Sequence, residues 1–377
     1  MIDASRLQKS WATIAQFGDQ VPLFFYSTLF LTNPGTREMF PITMSAQRDR
    51  LVSALGRVIS QVDDLAAVAP VLQQLGREHR KFGVVRDHFP AVGDALLSTL
   101  EHFLGSDWDD ELARDWAEAF GIVARVMIEA ADAASDTPPW YNAVVTDYER
   151  RAPDIAVIRV TPDAPVPYRP GQSVSLETGS RPRLWRYFSP ATLPDPDGSF
   201  ELHVRAVGGG MVSTALVQST QTGDALRLGA PVGEDLTLDP DSRGGIVLIA
   251  GGTGLAPMKA LVQQVAAEQP PRAVQLYWGG RRHHDLYDLR AMERLTSGQS
   301  WITFVPCVST EPTTGSYLQP GTAVDVALRH GDLPGRDIYV CGSPGMVAAT
   351  LSALGDAGVE TASVHWERLG SNEEASV

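Results

Sequence analysis

The sequence predicts three domains of different class in one chain: an all-α domain, an antiparallel β-barrel, and an α/β doubly wound parallel sheet. Three observations carry that reading. Up to about residue 134, apolar residues recur at helical spacing with no obvious strand. After Asp136-Thr137-Pro138-Pro139 the pattern turns to short alternating runs broken by Pro, Gly and Asp. From about Arg243, short apolar runs alternate with helical segments. The expected domains are therefore residues 1–134, 138–239 and 243–370, with a disordered tail at 371–377.

Composition narrows the function classes. A chain of 377 residues has room for two or three domains, and a hydrophobic fraction of 44% without a long apolar run gives no membrane span. The start, Met1-Ile2-Asp3-Ala4-Ser5, lacks the basic and apolar regions of a secretory signal. Only Cys307 and Cys341 occur, which excludes a disulfide framework and a cluster held by four thiolates, and fits a reducing cytoplasm. A net charge of −14 argues against nucleic acid or an anionic membrane as partner.

In the first third, Ser5 is the expected cap of a helix carrying Leu7, Trp11 and Ile14. A second helix follows Pro22 with Leu23, Phe24, Tyr26, Leu29 and Phe30, and stops at Asn33-Pro34-Gly35. A third starts near Ser45 and lines up Gln47, Leu51, Leu55 and Val58. The fourth, about 65–81, sets Leu72, Leu75 and His79 on one side; two more cover roughly 91–104 and 110–131. Tyr26, Gln47 and His79 are thus polar residues on three otherwise apolar faces. Together they suit a flat prosthetic group with an axial imidazole.

This segment resembles the globin domain of the flavohaemoglobins. The landmarks are Phe25-Tyr26, Thr32-Asn33-Pro34, Met39-Phe40, Gln47-Arg48 with Leu51, His79 before Phe82-Gly83, and Phe89-Pro90-Ala91-Val92-Gly93. The resemblance implies haem b, with His79 as its iron ligand, Tyr26, Gln47 and Leu51 lining the distal pocket, and Phe40 packed on the haem. The family supports its ligand histidine with a tyrosine and a glutamate. Here the matching positions are Phe89 and the alanines around Ala131 and Ala133, with Asp132 close by, and Glu78 replaces a lysine. A carboxylate behind the imidazole would make it a stronger donor to iron, so its loss weakens oxygen activation.

In the middle third, strands are expected at 155–161, 173–177 and 200–206. Arg186-Tyr187-Phe188-Ser189 suits a flavin, with a cation for phosphate, a ring for stacking and a hydroxyl for the isoalloxazine edge. Gly209-Gly210-Met211-Val212-Ser213 offers backbone N–H groups to a pyrophosphate. Their order resembles the ferredoxin-reductase-like FAD domain. Phe188 stands where that family has tyrosine, which keeps stacking and loses a hydroxyl contact.

In the last third, strands are expected at 246–250, 274–278, 302–308, 337–340 and 363–366. Gly251-Gly252-Thr253-Gly254 leads through Pro257 into a helix at 258–268, a strand-to-helix turn suited to an anionic pyrophosphate. Cys341-Gly342-Ser343-Pro344-Gly345-Met346 lies at a second strand end. Both match the nicotinamide-binding half of the same reductases. The match implies Thr253 near the nicotinamide or its phosphates, and Cys341 near the carbon that gives up hydride. Arg281 and Arg282 follow the second strand, where an arginine would accept a 2′-phosphate or cover adenine, which leaves NADH and NADPH both open. Glu367 fits the family's closing glutamate, and Leu369 replaces the aromatic that shields the flavin.

The resemblance implies a flavohaemoprotein that passes electrons from NADH or NADPH through FAD to haem and dioxygenates nitric oxide to nitrate with O2. The proximal departures leave a flavohaem oxidoreductase with another substrate as an alternative. A gas-binding sensor globin with a residual reductase half is a second.

Overall fold

The protein is described here by a computed structural model that covers residues 2–314, 317–331 and 333–367. It divides into two compact units, Met1–Pro139 and Trp140–Val377.

The first unit is helical: α1 (Ala4–Ala15), α2 (Gln20–Thr32), α3 (Ser45–Ser60), α4 (Leu65–His79), α5 (His88–Leu104) and α6 (Asp110–Ala133). The Asp3 carboxylate, not Ser5, caps α1 by accepting from the Arg6 N–H. Pro22 and Pro90 fall in the first turns of α2 and α5, where a missing N–H costs nothing, so both helices start earlier than expected. Leu7, Ile14, Leu29, Leu100 and Trp116 are fully buried, and the Trp116 indole donates to Ser10 Oγ. α4 lies so close to α6 that a Cβ on Gly76 would sit 2.2 Å from the Met127 carbonyl oxygen. The helix ends at His79, not Lys81, because a 3₁₀ turn (Arg80–Phe82) leads into Gly83 at φ 76°.

The second unit opens with an antiparallel sheet of β1 (Tyr141–Ala152), β2 (Ile155–Pro162), β3 (Ser173–Thr178), β4 (Arg186–Phe188), β5 (Phe200–Arg205) and β6 (Ala225–Val232). Its order is β4-β3-β6-β1-β2-β5, and a bridge between Pro190 and Leu202 joins the two edges into a barrel. Beside β5 stands α7 (Met211–Gln218). A parallel sheet follows, ordered β10-β9-β8-β7-β11-β12. Its strands are β7 (Ile246–Gly251), β8 (Val274–Gly280), β9 (Ile302–Val308), β10 (Gln319–Pro320), β11 (Asp337–Cys341) and β12 (Val364–Trp366). The helices are α8 (Leu255–Ala266), α9 (Leu289–Thr296), α10 (Ala323–His330) and α11 (Pro344–Asp356). α8 starts before Pro257, which again sits in the first turn.

The two halves of this unit share a core. Ile155 and Val157 of β2 are buried in one cluster with Leu248, Trp278 and Tyr287. Among the described residues, no helix is long and apolar enough to cross a membrane. Leu369 and the tail 371–377 lie outside the described residues.

Candidate functional site

α2 and α3 bring the distal candidates together. The Gln47 side-chain amide donates to the Tyr26 hydroxyl at 3.3 Å, and that hydroxyl lies 3.4 Å from the Gln47 carbonyl. Tyr26 is buried, which pushes its pKa up to about 12 and keeps it a phenol that can donate. The Phe40 ring meets Tyr26 edge-on at 5.4 Å, and Leu51 packs in the same apolar cluster. α3 links this cluster to a second one, since its Val58 packs with Leu72, Leu75, Phe89 and Met127.

His79 is the last residue of α4, and its Nδ1 lies 2.7 Å from the Leu75 carbonyl. That bond places the proton on Nδ1 and leaves the Nε2 lone pair for a metal. Burial lowers the His79 pKa, which favours the neutral, ligating imidazole. Asp132, the carboxylate nearest the missing glutamate in sequence, pairs instead with Arg86 at 2.7 Å on the exposed surface. Phe89 is part of the apolar cluster around Leu75. Glu78 accepts from Gln74 and lies 3.7 Å from the buried Lys81 ammonium.

In the second unit, β4 pairs with β3 and sets Ser189 Oγ 3.1 Å from Ser173 Oγ, which donates to Glu367 Oε1 at 3.0 Å. The sequence reading missed Ser173, the hydroxyl that joins the Ser189 and Glu367 candidates. Phe188 is 3% exposed within the barrel core, whereas Arg186 and Tyr187 on the same strand are half-buried. The ring surface that Phe188 offers for stacking is therefore smaller than expected. Gly210 caps α7, and a Cβ there would lie 2.6 Å from Ser213 Oγ, so the turn of Gly210, Met211, Val212 and Ser213 is closed without a side chain.

The two nucleotide motifs meet backbone to backbone. A Cβ on Gly254 would lie 2.3 Å from the Cys341 carbonyl, and one on Gly342 would lie 2.7 Å from Met346 Sδ. Gly252 takes φ +56°, and its carbonyl accepts from the Trp278 indole at 2.9 Å. Cys341 is buried, and burial pushes its thiol pKa up, so it stays protonated. Arg281 and Arg282 are exposed beyond the end of β8, while the carboxylates of Asp285 and Glu311 accept from the backbone N–H groups of Arg282 and His283.

Comparison with known proteins finds matches along the chain. A globin family model matches residues 23–127, an oxidoreductase FAD-binding domain model 142–235, and an oxidoreductase NAD-binding domain model 248–352. A flavohemoprotein of Bacillus subtilis is 25% identical over 95% of this chain and 94% of its own length. One from Chromobacterium violaceum is 28% identical over 95% of each. A solved flavohemoglobin of Malassezia yamatoensis, with bound FAD and heme, superposes with a TM-score of 0.77 at 19% identity, covering 97% of each chain. The chain has the architecture of a flavohaemoglobin.

Haem, FAD and a nicotinamide nucleotide are accordingly the cofactors of these three domains. Its residues fit them. Of the five buried side-chain polar atoms without a partner among the described residues, two lie in these motifs: Arg48 Nε, beside Gln47, and Thr253 Oγ1, in the glycine turn. A buried donor left unpaired is costly, and a haem carboxylate and a nucleotide would supply what these two lack. The glycines at 252, 254 and 342 leave a backbone-lined cradle that a side chain would fill.

Proposed function

We propose that this chain is a flavohaemoglobin that acts as a nitric oxide dioxygenase, fuelled by NAD(P)H and yielding nitrate. The observation that carries the reading is the buried Tyr26 hydroxyl, held by Gln47 on a helix pair that also packs Phe40 and Leu51. When bound, haem supplies the iron at which O2 is activated, and flavin splits the hydride's electron pair into single electrons. Tyr26 would donate a hydrogen bond to a negatively charged oxygen in the distal pocket. Gln47 fixes the direction of that hydroxyl, Leu51 and Phe40 would keep water out, and His79 would offer Nε2 to the iron.

On the reductase side, Arg186 and the Gly210–Ser213 turn would hold the FAD phosphates, with Phe188 and Ser189 beside the ring. Gly251, Gly252, Thr253, Gly254 and Pro257 would receive the nucleotide with Gly342 and Met346, and Cys341 and Glu367 would close the nicotinamide side. Arg281 would meet the adenosine end. The test is nitric oxide consumption by reduced protein under oxygen. A rate no faster than that of free haem overturns the proposal.

One observation favours a second reading, a flavohaem oxidoreductase with a different oxidising substrate. His79 leans on a neutral carbonyl, and Asp132 is spent on Arg86. That reading requires brisk NAD(P)H oxidation with poor nitric oxide turnover.

A further inference from the structure

β5 carries three polar side chains at every second residue, Glu201, His203 and Arg205, on the face turned away from the barrel core. Each reaches the nucleotide-binding half. Glu201 Oε2 accepts from Lys259 Nζ of α8 at 2.9 Å, and His203 Nδ1 lies 2.7 Å from the Tyr287 hydroxyl. Arg205 Nη1 stands 3.0 Å from where a Cβ on Gly252 would be.

Lys259 also donates to Asp288 Oδ2 at 3.1 Å, and Asp288 Oδ1 accepts from Arg151 of β1 at 3.0 Å. Arg159 of β2 reaches the other oxygen of Glu201 at 3.1 Å. The result is a line of alternating charge, Arg159, Glu201, Lys259, Asp288, Arg151, that crosses between the two halves twice. Lys259 is 8% exposed and Asp288 1%. Buried ion pairs add little net stability over apolar packing, but they fix one arrangement where apolar contact alone tolerates sliding.

The ends of this line are functional. β5 runs directly into the Gly209–Ser213 turn assigned to FAD phosphate, and α8 runs directly out of the Gly252–Gly254 turn assigned to the nucleotide. Lys259 and Glu201 therefore clamp the strand that enters one phosphate site to the helix that leaves the other.

We propose that Lys259, acting through Glu201 and Asp288, is a positioning residue for hydride transfer. In that transfer two electrons and a proton leave the dihydronicotinamide together as hydride, oxidising it, and reach the flavin, reducing it. The flavin is carried by the barrel and the nicotinamide by the parallel-sheet half, so the distance between them is set at this seam. A misplacement of about 1 Å at such a distance costs about a hundredfold in rate. The inference rests on the FAD and nucleotide sites and is independent of what happens to nitric oxide.

The test uses the holoprotein without oxygen or nitric oxide. Lys259→Met keeps the length and removes the charge. Flavin reduction by NADH or NADPH in stopped flow should slow about tenfold or more, with the nucleotide dissociation constant within about twofold. The long-wavelength absorbance formed with unreactive tetrahydro-NAD should weaken at full FAD content. Glu201→Gln should act in the same direction, and the double variant should be no slower than Lys259→Met alone, since both remove one contact. An unchanged reduction rate and absorbance overturn the proposal, as does a slowing that multiplies in the double variant. If Lys259→Met does not fold, Glu201→Gln alone decides on the same two readouts.

Discussion

His79 Nδ1 lies 2.7 Å from the carbonyl oxygen of Leu75, one turn back on the same helix. The imidazole proposed as ligand is thus oriented by its own helix and not by a carboxylate from another. Replacing His79 by alanine removes the nitrogen proposed to bind iron while leaving that carbonyl free to bond water. Haem content in the purified variant, read from the Soret absorbance, should fall about tenfold or more, and added imidazole should restore part of it. A full Soret band without imidazole removes His79 from the haem site.

The helix that carries His79 is held by Gly76. A methyl group there would lie 2.2 Å from the Met127 carbonyl oxygen. Gly76→Ala gains about 1 kcal/mol of helix propensity. Pushing α4 away from α6 costs about 1–3 kcal/mol, and the clash is with backbone that cannot rotate aside. The strain should win. Thermal unfolding should shift to lower temperature and haem should be lost more readily, whereas Gly121→Ala on α6, with nothing near its Cβ, should be neutral or stabilising.

Tyr26→Phe keeps the ring against Phe40 and deletes the donor. A hydrogen bond to a charged partner is worth about 1.5–3 kcal/mol, so nitric oxide consumption should fall about ten- to a hundredfold. Reduction of flavin by nucleotide should be untouched, because that chemistry is assigned to the other unit. A loss in both rates would make Tyr26 structural.

The buried pair of Glu201 and His203 gives the second unit an acid-labile seam. The His203 ring, and the Lys259 ammonium against the cost of burial, hold the Glu201 carboxyl far below the usual carboxylate range. Burial lowers His203 itself, which faces Glu201, Lys259, Asp288 and Tyr287. Both shifts mean that the unfolded chain binds more protons than the folded one, so stability is lost as pH falls. The loss begins near the ordinary histidine value of 6.5 and deepens below the ordinary glutamate value of 4.5. Release of flavin fluorescence on heating should track this profile. His203→Gln should flatten its upper part and shrink the lower, since the ring that holds the Glu201 carboxyl down is gone.

What could be read in the sequence depended on how local the signal was. Gly251 to Gly254 and Cys341 to Met346 are contiguous, and a run of apolar residues before each marks a strand end, so both turns were legible. β1 was overlooked because its buried positions, Tyr141, Ala143 and Val145, alternate with exposed ones that include the apolar Val144, and the strand then runs on through charged residues. The charged seam was invisible for a different reason: Lys259, Glu201 and Asp288 lie on separate elements, and each reads alone as a surface charge. Gly76 was passed over because a helical glycine shows its purpose only when the partner helix is in place. Whether Asp132 could stand in for the missing glutamate was not legible, because its direction, toward Arg86 and solvent, is set by a residue far off in sequence.

Thr253 offers the sharpest separation of stability from binding. Its hydroxyl is buried in the glycine turn with no partner among the described residues. Valine has the same shape and removes the unpaired group, whose burial costs about 1–3 kcal/mol. Without nucleotide, Thr253→Val should therefore raise the temperature of flavin release. With nucleotide the order should reverse, since the hydroxyl is then satisfied and the valine offers nothing: NAD(P)H should bind about tenfold more weakly. Opposite signs in the two measurements are what a hydroxyl reserved for a ligand requires. Destabilisation in both would make Thr253 an ordinary core residue whose partner is protein.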